Sequence, residues 1–142
     1  MEINFLYVII QTVNLRILIM YYINDKEYRC SVAVTLDIFN DRWKLAIIWH
    51  LLDGEKRFKE LHEIISEITQ KTLTIKLKEL EEKNIIHREC FASVPPKVVY
   101  SLTHCGEKLR PVLEEMHQWG IDYVKEFGKV TSDNPCQNTF CD

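Results

Sequence analysis

Apolar residues recur along this chain at helical spacing in several runs, switch to an extended pattern in the middle, and then return to a helical one. The clearest run lies between Thr69 and Asn84, where Leu73, Leu77 and Leu80 define one narrow stripe. Thr69 is a good N-cap, because its hydroxyl can accept from the free amides of the first turn. At about 100° per residue, Lys71, Ile75 and Lys78 point away from the stripe, with Thr74 beside them. One face is therefore made to pack, and the other offers two cations, a hydroxyl and a methyl-bearing side chain. That equipment suits a helix entering a DNA major groove. It also describes a solvated helix with ordinary Lys and Glu, so the stretch does not decide the matter alone.

Its flanks add meaning. Val32 to Phe39 reads as a short helix with Val32, Leu36 and Phe39 on one side, ending at Asn40. Asp41 caps a second helix, Arg42 to Asp53, whose expected buried stripe is Leu45, Ile48, Trp49 and Leu52, with Gly54 at the left-handed position past its end. Lys56-Arg57 is a brief extended link. Phe58, Leu61, Ile64 and Ile65 then give a third helix up to Ser66, and a tight turn leads into the Thr69 stretch. A helix, a tight turn and a second helix bearing exposed cations form a helix-turn-helix.

After Asn84, a plausible C′ residue, two strands are expected, Ile85 to Phe91 and Lys97 to Leu102, joined by Ala92-Ser93-Val94-Pro95-Pro96. A hairpin directly after a recognition helix is a wing, with Lys97 at its base and Arg88 on the opposite strand; the plainer reading is a hairpin that only closes the core. Thr103 caps a last helix running to about Phe127, with a bend or restart at Pro111. Leu109, Val112, Leu113, Met116, Trp119, Tyr123, Val124 and Phe127 give it more apolar surface than one small domain can use, which points to a partner subunit. The tail, residues 129–142, is expected to be disordered. The fold class is thus mainly α with a small β-hairpin, a winged helix-turn-helix over residues 30–128.

Composition narrows the function. At 142 residues and 46% hydrophobic content the chain supports one real core. The net charge of −3 argues against a protein that coats nucleic acid indiscriminately. The charge is uneven, however: Arg42 to Arg110 holds 13 Lys and Arg against 10 Asp and Glu, and the flanks hold 5 against 11. A mildly basic middle within an acidic remainder suits a selective binder whose steering field is local. Five cysteines without regular spacing give no disulfide framework and point to a reducing, cytoplasmic setting.

Residues 1–29 form an N-terminal extension. Ile3 to Ile23 is apolar, but Gln11, Thr12, Asn14 and Arg16 interrupt it, and a charge in mid-span costs about 2.5 to 3.5 kcal/mol, so no membrane span is expected. Glu2 and the lack of a small-residue cleavage site argue against a signal peptide. Residues 1–19 are read either as a docking segment or as an upstream extension with Met20 the true start; intact mass of the native protein separates the two.

Several segments, in this order and spacing, carry a resemblance: Cys30 followed by Leu36-Asp37, Arg42-Trp43-Lys44-Leu45, Leu51 to Leu61, Ile68 to Thr74, Leu77 to Glu82, and Val94 to Thr103. Together they resemble the HxlR family of winged helix-turn-helix transcriptional regulators, relatives of the MarR-type proteins, over roughly residues 30–128. The resemblance implies a homodimer built from the N- and C-terminal helices, binding a roughly palindromic double-stranded DNA operator with one recognition helix per half-site. It also implies a sensor role for Cys30, since several members respond to oxidants or electrophiles through a cysteine at this position. Arg29 beside it is a cation of the kind that favours a thiolate. The alternative for Cys30 is a small, partly buried hydrophobe. There are departures: Ser31 stands where the family commonly has Pro, Asn40-Asp41 replace a glycine pair, and Ile75 occupies an often polar position.

The expected DNA contacts are Gln70, Lys71, Thr72, Thr74, Ile75 and Lys78, with Lys97 from the wing. A first-turn Gln can pair bidentately with adenine, and Ile75 would meet a thymine methyl. Lys71 and Lys78 suit phosphates. His87, Cys90, His104, Cys105 and the pair Cys136 and Cys141 lack the tight spacing of structural metal sites, so no metal or other cofactor is assigned. No phosphate loop, H-E-x-x-H or nucleophile elbow points to an enzyme. Two readings remain beside the redox-sensing regulator: a winged-helix interaction module without operator binding, and a metal-responsive regulator.

Overall fold

The computed structural model describes residues 20–129. The expectations for residues 1–19 and for the tail beyond residue 129 lie outside the described residues. The chain divides into two compact units, one ending at Asn40 and the other beginning at Asp41.

The first unit opens with an unexpected hairpin, β1 (Tyr21–Ile23) and β2 (Lys26–Tyr28), paired antiparallel with Ile23 opposite Lys26. Asn24 and Asp25 both take positive φ, 48° and 63°, the conformation a two-residue hairpin turn requires and these residue types tolerate. Helix α1 (Ser31–Ile38) follows close to its expected place. It is tied to the hairpin through Asp37, which accepts from the Tyr28 hydroxyl at 2.8 Å and from Lys26 at 2.6 Å. Val32 and Leu36 remain exposed, and α1 buries no residue.

The second unit is built around α2 (Arg42–Leu51), capped as expected by Asp41, whose carboxylate accepts from the Lys44 amide at 3.0 Å. Its burial corrects the expected stripe. Leu45 and Trp49 are only half-buried, whereas Lys44, Ala46, Ile47, Ile48, His50 and Leu51 are buried. This helix is covered from more than one side, so a single-face reading from spacing is too narrow. It also ends at Leu51, short of Asp53, and Gly54 at φ 123° lies one residue later than a C′ glycine, its amide bonded to the Leu51 carbonyl.

The extended link is a short strand, β3 (Lys56–Arg57), leading into α3 (Phe58–Ile64). Helix α4 (Gln70–Glu82) then runs where the pattern placed it, with Leu73, Leu77 and Leu80 fully buried and Thr69 capping the Thr72 amide at 3.2 Å. Asn84 takes φ 56°, the left-handed C′ conformation that ends the helix. Strands β4 (Ile86–Phe91) and β5 (Lys97–Leu102) form the hairpin, and β5 lies centrally in the order β3-β5-β4, all antiparallel.

Lys97 pairs with Phe91, beside the connecting loop, so it sits at the tip end of the wing and not at its base. The expected restart is present: Thr103 caps a single turn, α5 (His104–Glu107), and α6 (Arg110–Phe127) begins with Pro111 in its first turn, where a missing amide costs nothing. Of all α6 only Leu113 is buried. The architecture is a winged helix-turn-helix with a long C-terminal helix.

Candidate nucleic-acid interface

The interface candidate is the outer face of α4. Once the leucine stripe is buried, helical geometry leaves Gln70, Lys71, Thr74, Ile75 and Lys78 on the solvent side, and all five are exposed, Ile75 at 44%. The Thr74 hydroxyl donates back to the Gln70 carbonyl at 2.8 Å. Thr72 is half-buried and shares a 2.9 Å hydrogen bond with the Thr69 hydroxyl, so it shapes the first turn more than it projects from it.

Two cations on this face are differently placed. Lys71 makes no ion pair among the described residues. Lys78 pairs at 3.7 Å with Glu82, but both side chains are mostly exposed, at 76% and 64%, and such a pair contributes little. On the wing, Lys97 is half-buried, and its ammonium lies 5.3 Å from the Phe91 ring centroid. It also lines a groove of about 230 Å³ with Glu55, Lys56, Arg57, Glu60 and Val99. Arg88 faces Tyr100 across the ladder, and the Tyr100 side chain holds its guanidinium.

Behind α4 lies a four-residue ion-pair cluster that the hydrophobic pattern of the sequence does not announce. Lys44, with a side chain only 3% exposed, reaches Glu79 at 2.8 Å and Asp41 at 3.9 Å. Lys76 reaches Asp41 at 3.0 Å and Glu79 at 3.2 Å. Burial pushes the Asp41 carboxyl up, but the Lys44 amide and the Lys76 ammonium outweigh it and hold it below its ordinary value. Lys44 holds Glu79 down, and Asp41 raises Lys76. The only signal in the sequence was a capping Asp followed at i+3 by a lysine on an apolar helix, with a Lys/Glu pair at i,i+3 in α4.

Cys30 lies in the other unit, immediately before α1 as its N-cap residue, and is exposed, as are Cys90 and Cys105. The buried-hydrophobe alternative for Cys30 is therefore not what the described chain displays. Among the described residues, no three His, Cys, Asp or Glu side chains come together as a metal site, and no helix is long and apolar enough to cross a membrane.

A short helix, a turn, a capped helix with outward cations and a hairpin after it define a winged helix-turn-helix DNA-binding protein. Residues 38–127 match the HxlR-like helix-turn-helix family, and the chain belongs to it. It is 45% identical over 109 residues to the HTH-type transcriptional regulator YdeP of Bacillus subtilis (strain 168), covering 77% of this chain and 85% of that protein. Among solved structures it is similar to the redox regulator HypR in its oxidized form, at 46% identity and TM-score 0.62 over 66% of this chain and 96% of that one. The reduced form of the transcriptional regulator YodB from B. subtilis matches at 39% identity and TM-score 0.62, over 68% and 96%. The chain is a helix-turn-helix transcriptional regulator.

Proposed function

We propose that this regulator acts as a homodimer that reads a roughly palindromic operator with α4, and that Cys30 makes its binding responsive to oxidants or electrophiles. The observation that carries the DNA reading is the outer face of α4. Gln70 and Ile75 are free to meet base edges, and Lys71 and Lys78 to meet phosphates, with Thr72 shaping the first turn, Thr74 flanking, and Lys97 reaching from the wing tip. The uncovered apolar side of α6 supports a second copy: Trp119, Tyr123 and Phe127 form a ring ladder with centroids 5.1 and 4.9 Å apart, and remain 67%, 51% and 68% exposed.

A duplex enriched by the full-length protein from a randomised library provides the test. Gln70→Ala should relax the preference at one base pair, while Lys78→Ala should weaken binding to every sequence. Parent-like binding of selected and random duplexes by both variants would remove the assignment.

The redox reading is supported by the exposure of Cys30 and by the similarity to HypR and YodB, the latter also solved after diamide treatment and with quinone bound. Diamide or quinone should change the affinity of the parent for the selected duplex and leave Cys30→Ser unaffected. An equal response in both would refute it.

A further inference from the structure

We propose that Asp41, Lys44, Lys76 and Glu79 form a crossed ion-pair lock that fixes the rotation of α4 about its own axis, with Lys44 as its positioning residue. The inference rests on α4 being the reading helix. Leu73, Leu77 and Leu80 hold α4 against the domain, but apolar contact is non-directional and tolerates small rotations. The ion pairs are directional. Lys44 of α2 meets Glu79 of α4, and Lys76 of α4 meets Asp41 at the start of α2, so a cation and an anion from each side are exchanged. Asp41 uses its other oxygen to cap α2 through the Lys44 amide, which roots the lock in the frame of the domain.

Position on the helix makes the lock relevant to reading. At about 100° per residue, Lys76 borders the leucine stripe and Glu79 follows it round the helix, beside Ile75 on the outer face. Side-chain tips stand about 5 to 6 Å from a helix axis, so a rotation of roughly 20° sweeps them by about 2 Å. Hydrogen bonds to base edges are lost over much less than that. A rotation the leucines absorb would therefore scramble contacts to bases, while lysines on long stems would still find phosphates.

Energetics point the same way. A buried lysine is desolvated, and replacing a whole buried ion-pair set by apolar residues of similar volume is often neutral or stabilising, so the four-residue cluster is a poor device for stability alone. Directional placement of α4 is what an apolar residue at 44 could not supply.

The test compares Lys44→Met and Glu79→Gln with the full-length parent, on the duplex the parent enriches from a randomised library and on random-sequence duplex. The expected result is a folded Lys44→Met protein with a lower thermal midpoint, because Glu79 and Asp41 lose one cation and keep only Lys76. Its affinity for random duplex and its salt dependence should be unchanged, and its preference for the selected duplex reduced about tenfold or more. Glu79→Gln should shift the preference in the same direction, and the double variant should be no worse than the more severe single one. A folded Lys44→Met that keeps the parental preference overturns the lock. A parallel fall in stability and in both affinities also overturns it, because that marks a purely structural role. Should Lys44→Met fail to fold, Glu79→Gln decides alone, since its side chain is one-third exposed. A parent that enriches no duplex removes the proposed function, and the lock's purpose with it.

Discussion

Replacing Lys78 with alanine should change how steeply DNA binding depends on salt, by an amount set by the number of cations facing the phosphates. In the proposed dimer, Lys71, Lys78 and Lys97 of each protomer would make about six phosphate contacts, for a slope of log affinity against log salt near −5.4. Between 50 and 200 mM salt such a slope costs on the order of a thousandfold in affinity. Lys78→Ala leaves about four contacts and a slope near −3.6, for a loss of roughly 150-fold over the same range. The 3.7 Å pair with Glu82 does not alter this count, because both partners are mostly in water and readily released. Lys76→Ala is the internal control: its ammonium is held by Asp41 and Glu79, so the slope should stay parental. Fluorescence anisotropy on a labelled duplex at several salt concentrations reads all three. Parental slopes in both Lys71→Ala and Lys78→Ala would show that the outer face of α4 is not the phosphate-facing surface.

Gly106→Ala should destabilise the fold by roughly 2–4 kcal/mol in urea unfolding, because a Cβ there would overlap the Ile85 carbonyl oxygen and stand 3.1 Å from the Leu102 side chain; an unchanged midpoint would contradict that packing. Stability should also fall in acid. Burial depresses His50, so its contribution is complete above the ordinary imidazole value of 6.5 and is lost as pH falls through the lower folded one. Asp41 and Glu79 are likewise depressed, and their contribution begins to go only below the ordinary carboxylate values near 4. Thermal midpoints followed from pH 8 to pH 3 should therefore decline in two stages, and His50→Gln should remove the upper one. Trp119→Asp should yield a monomer by light scattering with unchanged far-UV circular dichroism, since the ring is 67% exposed in the single chain; a persistent dimer would place the interface elsewhere.

The elements legible in the sequence were those whose signals are local. Thr69, the leucine stripe and Asn84 mark both ends and one face of α4, and the structure agrees with each. The strands of the wing and the restart at Pro111 were equally plain, because proline and β-branched residues act on their own backbone. Misreadings came where tertiary contacts decide. A central helix packed on several sides buries Lys44 and His50, which no periodicity argument places inside. The register that puts Lys97 beside the loop depends on how β4 and β5 pair. The β1–β2 hairpin has a local signal, Asn24-Asp25 between short apolar-aromatic runs, which the longer apolar stretch around it masks. Of the site, the exposed residues of α4 were legible from the helical wheel, whereas the ion pairs behind it join residues some 35 positions apart and leave no periodic trace.

Thr103 sits where three parts of the molecule meet. Its hydroxyl shares one proton between the carbonyls of Asn84, at 2.6 Å, and Ile85, at 3.1 Å, and accepts from the Gly106 amide at 3.0 Å. Its own amide donates to the Ile85 carbonyl at 3.0 Å. The foot of the reading helix, the root of the wing and the first turn leading into the long C-terminal helix thus hang from a single hinge pin. Thr103→Val, keeping the shape but not the hydroxyl, would strip the junction of these three side-chain bonds and leave it the amide bond to the Ile85 carbonyl.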